Sequence, residues 1–367
     1  MPPFALPFSL PFSPRRLVIG ANAHAELKAF IGERRPDIEI RGAKFTDLSA
    51  ADLAWGEAYI GFKRPPSAAD AASHSTNSAN SGATATMGAV RWVHCTGAGV
   101  DSWLAPIELD RAVLLTRTTE SFGPMIAEWA VSRVLAFQQQ LFDVARAQSE
   151  RRWAHREVKP VAGTRALVVG TGDVGTAVGR QLAALGCVVT GVSRTGAAHS
   201  GVALSGVARS GVGHSGIAPA GGSANGTATP FSALQPVGKL AELVGDADWI
   251  VLTLPITPAT HSLVNRAILS RCRGAVLLNA GRGQVLDESA LPEALDQGWL
   301  RGAALDVFEV EPLPDSSPLW TDPRIMVSPH MSGPTTIAGA GNGFLECLAE
   351  LEQGRIPRWV VDRDRGY

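Results

Sequence analysis

An arginine, a glutamate and a histidine stand in the last quarter of the chain, each inside a short and unusual word. Arg282 lies in Asn279-Ala280-Gly281-Arg282-Gly283, Glu311 lies in Asp306-Val307-Phe308-Glu309-Val310-Glu311-Pro312, and His330 closes Ser328-Pro329-His330. A guanidinium holds a carboxylate through two parallel hydrogen bonds. An imidazole gives or takes a proton near neutral pH, and a neighbouring carboxylate fixes its tautomer and favours its charged form. Singly, each residue has an ordinary alternative: a surface charge after a strand, an ornament of a proline-rich loop, a satisfied turn residue. Together they can bind a small carboxylate and move one proton.

A second word lies upstream. Residues 165–169 read as a buried strand, Gly170-Thr171-Gly172-Asp173-Val174-Gly175 follows at once, and 174–185 has helical apolar spacing that stops at Gly186. The next strand is expected over 187–192. Gly170 suits a tight turn, Gly172 lets backbone approach a pyrophosphate, and Gly175 allows close helix–strand packing. The helix N-terminus then faces the anion. This spacing predicts a dinucleotide site spanning Gly170, Thr171, Gly172, Asp173, Val174 and Gly175. Where an NAD-selective site carries an acid, this chain has Ser193-Arg194-Thr195. A guanidinium between two hydroxyls suits a 2′-phosphate, so NADP is expected over NAD, with NAD possible. With a nicotinamide cofactor, Arg282, Glu311 and His330 are equipped to reduce a 2-oxo acid to a 2-hydroxy acid.

The elements that must position these residues alternate in type. Short apolar strands are expected at 16–19, 38–40, 58–62, 90–94 and 113–116, with a helix over 23–32, which argues for a parallel α/β sheet. In the second half, strands are expected at 249–254, 275–278, 303–305 and 324–327, with a helical stretch over 240–244. A turn, Pro255-Ile256-Thr257-Pro258-Ala259-Thr260, follows the first of these; Asn279 to Arg282 follow the second, Asp306 the third, and His330 the last. Open α/β sheets bind ligands beyond the carboxyl ends of their strands. The topology therefore gathers residues that are distant in the chain.

Composition bounds the rest. The chain has 367 residues, 45% of them hydrophobic, enough for two cored domains. Its net charge of −1 recommends neither nucleic acid nor an anionic membrane as partner. Cys95, Cys187, Cys272 and Cys347 are far apart, so neither a disulfide framework nor a metal site is expected, and a reducing cytoplasm suits the chain. The first twenty residues hold five prolines and no unbroken apolar run, so no secretory signal is expected, and no stretch reaches membrane-spanning length. Two biased segments interrupt the pattern. Residues 67–88 are rich in Ala, Ser, Thr and Asn, with a loop expected over 74–83. Residues 196–229 repeat Ser-Gly-Val/Ile and read as a flexible insertion that cannot bury enough surface to offset its ordering entropy.

These words, their order and their spacing resemble the D-isomer-specific 2-hydroxyacid dehydrogenase family, from about residue 92 to the last. Within it the chain looks most like the NADP-preferring glyoxylate/hydroxypyruvate reductases, through Ala98-Gly99-Val100-Asp101, Ser193-Arg194, Ser317-Pro318-Leu319-Trp320 and the terminal Val361-Asp362-Arg363-Asp364-Arg365-Gly366-Tyr367. The resemblance implies an α/β protein of two Rossmann-like parallel-sheet domains, a flavodoxin-like substrate domain and a dinucleotide-binding domain, with the active-site cleft between them. The substrate domain would be discontinuous, 1–118 plus 331–367, and the dinucleotide domain would be 119–330, entered through a helix over 125–140. A final helix near 344–353 would pack back on the first domain. By resemblance, the backbone amides of Ala98, Gly99 and Val100 grip the substrate carboxylate opposite Arg282. Asp306 binds the nicotinamide carboxamide, His330 is the acid/base, and Glu311 is its partner. Leu254, Pro255, Thr260, Asn279, Ala280, Gly281 and Gly333 complete the cofactor site. Residues 142–155, with Trp153, resemble an arm used to dimerise, so a homodimer is expected.

Two alternatives share this fold. One is a dehydrogenase for another acid; formate dehydrogenases resembling the family place Gln beside the histidine, and Glu311 argues against that variant. The other is a non-catalytic, nucleotide-sensing interaction protein, which can keep the same three residues.

Overall fold

A computed structural model of the protein describes residues 8–66, 86–105, 108–119, 121–197 and 229–367. The loop expected over 74–83 and nearly all of the insertion expected over 196–229 lie outside the described residues. The described chain folds into two compact α/β units. One comprises Met1–Met125, Pro255–Leu263 and His330–Tyr367, and the other Ile126–Leu254 and Val264–Pro329.

In the first unit, β1 (Arg16–Gly20), β2 (Glu39–Ala43), β3 (Ala58–Gly61), β4 (Trp92–Cys95) and β5 (Leu114–Arg117) form a parallel sheet in the order β2-β1-β3-β4-β5. The central strands are apolar at successive positions because helices cover both faces. One face buries Leu17, Ile19, Ile60 and Trp92 against the helix Ile337–Glu352, whose Phe344 ring stacks on Trp92 at 4.7 Å. Such a stacked pair adds about 0.5–1.5 kcal/mol beyond its buried area. Arg35, after the helix His24–Arg34, grips Glu352 with two guanidinium nitrogens at 2.8 and 3.1 Å, tying the first helix to the last. The other face buries Val18, Tyr59, Val93 and Trp103.

The second unit has seven parallel strands in the order β12-β11-β10-β9-β6-β7-β8: β6 (Arg165–Val169), β7 (Val188–Ser193), β8 (Ala233–Pro236), β9 (Trp249–Leu252), β10 (Ala275–Asn279), β11 (Leu300–Leu305) and β12 (Ile325–Val327). Strand order reverses between β6 and β9, which creates the crevice where doubly wound sheets take a dinucleotide. Most of the expected elements are present within a few residues; the final helix, expected near 344–353, begins earlier, at Ile337, and ends at Glu352. An additional edge strand, β8, and short helices at Ala50–Trp55, Arg266–Leu269 and Leu291–Asp296 join them.

Candidate active site

The glycine-rich loop leaves β6 at the switch point. Gly170 has φ +108°, and a Cβ on Gly175 would lie 1.8 Å from the Gly170 carbonyl oxygen, so glycine is required where the helix Asp173–Ala184 meets the strand. Thr253 reaches across from the end of β9 and donates its hydroxyl to Gly170 O at 3.0 Å. A Cβ on Gly172 would meet nothing within 4 Å, so the helix start opens onto space that an anion could fill. Beside it, the buried Thr171 Oγ1 has no hydrogen-bond partner among the described residues. An open cradle with an orphaned hydroxyl fits a dinucleotide pyrophosphate. Asp173 and Val174 form the first turn of the helix.

At the end of β7, Arg194 and Thr195 are exposed. Ser193 is committed to the turn: its Oγ accepts from Gly196 N at 2.9 Å and donates to Ala197 O at 3.2 Å. In the first unit, Thr260 shapes the turn that begins at Pro255, donating to Pro255 O at 2.7 Å and accepting from Thr257 N at 2.8 Å.

The turn carrying Arg282 is built by Asn279, which is fully buried at the end of β10. Its amide oxygen accepts from Gly281 N at 3.1 Å and its nitrogen donates to Arg282 O at 3.0 Å. Gly281 passes so close to Leu254 that a Cβ would fall 2.6 Å from the Leu254 oxygen. Ala280 N bonds Leu252 O, which fixes the turn to β9. The Arg282 Nη1 donates to Gly281 O at 2.8 Å.

The turn of Gly283 is wedged against Phe308, leaving no room for a side chain at 283, and Gln284 Nε2 donates to Glu309 O at 3.1 Å. The segment carrying Glu311 thus sits on the segment carrying Arg282. Glu311 Oε1 accepts from Phe308 N at 3.0 Å, closing its own loop. Sequence reasoning missed Glu288, whose Oε1 accepts from Glu309 N at 2.5 Å. Burial raises the Glu288 carboxyl above the ordinary glutamate range, and the charges of Glu309 and Glu311 add to the shift. Its only signal in the sequence was an acid just before an apolar helix, too common to single out.

Asp306, at the end of β11, is fully buried. Ser328 donates to its Oδ1 at 2.5 Å, and Trp129 Nε1 donates to Ser328 Oγ at 3.0 Å. His330 follows two residues later, exposed, with φ +49°. A non-glycine residue in that region carries strain and is enriched at functional sites. His330 and Gly333 belong to the first unit, whereas Arg282, Glu311 and Asp306 belong to the second.

Ala98, Gly99 and Val100 form the loop after β4 in the first unit, with Ala98 and Gly99 half-buried. Phe62 packs over this loop; a Cβ on Gly97 would lie 2.5 Å from its ring. Among the described residues there is no cluster of His, Cys, Asp and Glu able to hold a metal, and no helix long and apolar enough to cross a membrane.

Residues 131–212 and 223–332 match the family described as D-isomer specific 2-hydroxyacid dehydrogenase, NAD binding domain. A Streptomyces coelicolor protein known only as an uncharacterized protein in the mprR 3′ region is 36% identical over 279 residues, 76% of this chain and 90% of that protein. The structure resembles that of a D-isomer specific 2-hydroxyacid dehydrogenase from Xanthobacter autotrophicus Py2 in complex with NADPH and MES, at 28% identity and TM-score 0.76, covering 97% of this chain and 100% of that one. An NADPH-dependent glyoxylate/hydroxypyruvate reductase from Sinorhizobium meliloti shares the fold, at 24% identity and TM-score 0.74, over 96% of this chain and 99% of that one.

Proposed function

Since the chain belongs to the D-isomer-specific 2-hydroxyacid dehydrogenase family, whose members are NAD(P)-dependent oxidoreductases, we propose that it reduces a small 2-oxo acid of the glyoxylate or hydroxypyruvate type, using NADPH in preference to NADH. The observation that carries this reading is the Asn279 turn. It presents Arg282 beyond the same sheet edge as the glycine-rich loop, in contact with the segment of Glu311. We assign 1–118 plus 331–367 to the substrate domain and 119–330 to the cofactor domain.

In this proposal Gly170 to Gly175 hold the pyrophosphate, with Thr171 Oγ1 and the open face of Gly172 toward it. Arg194 binds the 2′-phosphate; the relative from Xanthobacter autotrophicus carries NADPH, which supports the preference. Leu254, Pro255, Thr260, Ala280, Gly281 and Gly333 line the remaining dinucleotide path, and Asp306 orients the nicotinamide amide. When bound, the reduced nicotinamide supplies a hydride. The chain's own residues do the rest. The amides of Ala98, Gly99 and Val100 and the guanidinium of Arg282 hold the substrate carboxylate. Arg282 also stabilises negative charge developing on the carbonyl oxygen. His330 donates the proton to that oxygen, and Glu311 keeps its imidazole oriented and charged. We also propose a homodimer: beyond the helix Leu141–Ser149, Trp153 is 98% exposed, and Phe142 and Val144 are exposed on the helix itself. Such a patch suits a partner surface. Sedimentation of Trp153→Ser as monomer, against a wild-type dimer, tests it.

The reaction is tested by a panel of 2-oxo acids assayed for loss of reduced-cofactor absorbance, with NADPH and NADH in parallel. Turnover of glyoxylate or hydroxypyruvate is expected, and general-acid loss in His330→Ala should cost about 10²–10⁴-fold in rate with NADPH still bound. A wild-type protein that binds NADPH but reduces none of the panel overturns the reading.

A further inference from the structure

The loop Gly97–Val100 turns its carbonyls toward the protein. Arg117, the last residue of β5, donates from Nη1 to Ala98 O at 2.7 Å. The parallel register of β4 and β5 sets Arg117 level with Cys95. Cys95 in turn donates from Sγ to Gly99 O at 3.5 Å. Burial pushes the Cys95 thiol up to about 11, so it keeps the proton that this bond needs.

Peptide geometry gives these two contacts a consequence. In a trans peptide the C=O and N–H point in opposite directions. The Ala98 carbonyl shares its plane with the Gly99 N–H, and the Gly99 carbonyl shares its plane with the Val100 N–H. Both peptides are trans. Holding the two carbonyls inward turns the two N–H groups the other way. Among the described residues neither amide donates to a backbone carbonyl. A guanidinium on the carbonyl also polarises its peptide, which strengthens the opposite N–H as a donor.

We propose that Arg117 is a positioning residue for the substrate: it locks the Ala98–Gly99 peptide so that the Gly99 and Val100 amides present themselves to the carboxylate of the 2-oxo acid, with Cys95 locking the next peptide. This rests on the 2-oxo acid reading given above. Arg117 touches no reacting atom, so its removal weakens substrate capture more than the chemical step.

Arg117→Met and Arg117→Lys test it. Arg117→Met should raise the KM for glyoxylate by roughly tenfold, with kcat and the NADPH dissociation constant each held within about twofold. Arg117→Lys, which restores a charged donor, should recover most of the loss. A KM unchanged in Arg117→Met, or a loss of NADPH affinity as large as the rise in KM, overturns the proposal. A readout independent of turnover is the amide spectrum of the substrate-free protein. In Arg117→Met the ¹⁵N–¹H signals of Gly99 and Val100 should move, while those of Ala58–Gly61 stay. If the wild type reduces no 2-oxo acid, the functional reading falls and this spectrum alone decides the anchor; unmoved Gly99 and Val100 signals reject it.

Discussion

Ser328 donates a 2.5 Å hydrogen bond to the buried carboxylate of Asp306, and the direction of that bond is set by a third residue. The Trp129 indole can only donate, and it does so to Ser328 Oγ at 3.0 Å. The Ser328 proton is thereby left for Asp306. A one-way chain, Trp129 to Ser328 to Asp306, holds the acid that we assign to the nicotinamide amide.

Ser328→Ala removes a charge-assisted donor from a buried carboxylate. The expected cost is about 1.5–3 kcal/mol of stability, with NADPH binding weakened in the same variant. Trp129→Phe removes the N–H that orients Ser328 together with one ring of the buried indole, so it should also lose packing stability, while weakening NADPH binding less than Ser328→Ala. Urea unfolding and NADPH titration of both variants check the order; equal wild-type values would remove the chain from cofactor binding.

Asn279 needs both halves of its amide, since the oxygen accepts from Gly281 N and the nitrogen donates to Arg282 O. Asn279→Asp has almost the same shape but sets a carboxylate oxygen against the Arg282 carbonyl. In a fully buried position that conflict costs about 1–3 kcal/mol, and it falls on the turn that aims Arg282. Substrate kcat/KM should drop roughly tenfold to hundredfold. Steady-state kinetics with glyoxylate measure it, and an Asn279→Asp enzyme as active as wild type would mean that the turn holds Arg282 by other means.

How far all this was legible in the sequence depends on the range of the interaction. The glycine word 170–175 announced its turn because the constraint is local: Gly175 abuts Gly170, whereas the need for glycine at 281 comes from Leu254, just past the end of the neighbouring strand, and was not legible. The parallel two-domain architecture was legible too, since buried strands read as apolar runs between helical stretches. β8 was not: it is a half-buried edge strand, it ends in Pro236, and it follows a low-complexity insertion. The helix Ala50–Trp55 carries a Ser49–Asp52 capping box but is too short to show a period. The chain through Ser328 joins Trp129 to a residue 199 positions away, and the Arg117 contact pairs a strand end with a loop carbonyl. No spacing rule reaches either of them. The hydrogen bonds of the Ser193 hydroxyl within its own turn, to Ala197 O and from Gly196 N, were equally hidden.

Arg194 is exposed at the end of β7, and we propose that it contacts the 2′-phosphate of the cofactor and not the fold. Arg194→Ala should weaken NADPH binding roughly tenfold to hundredfold, the worth of one charge-assisted hydrogen bond, and leave NADH binding nearly unchanged. Fluorescence titration with both cofactors distinguishes the cases. Equal losses for the two would make the residue structural.

His94 supplies a pH dependence unrelated to the active site. It is fully buried on β4, with Nδ1 at 2.8 Å from Thr116 Oγ1 and Nε2 at 3.0 Å from Thr118 Oγ1. Trp92 Nε1 donates to the same Thr116 hydroxyl at 2.8 Å. Desolvation lowers the imidazole pKa to about 3, against 6.5 when unfolded. The folded state therefore holds His94 neutral, while the unfolded state takes up a proton as the pH falls below 6.5. Its stabilising contribution is complete above pH 6.5 and is lost as the pH drops toward 3, at up to about 1.4 kcal/mol per pH unit. His94→Gln keeps one donor and one acceptor but cannot titrate. At pH 8 it should be less stable than wild type by about 1–2 kcal/mol through imperfect packing. Between pH 6.5 and 5 that gap should close, because only the wild type loses stability through this site. Urea unfolding of both proteins at pH 8, 6 and 5 follows the gap; a constant difference across the series would show that His94 titrates alike in the folded and unfolded states, and would remove it as a source of acid sensitivity.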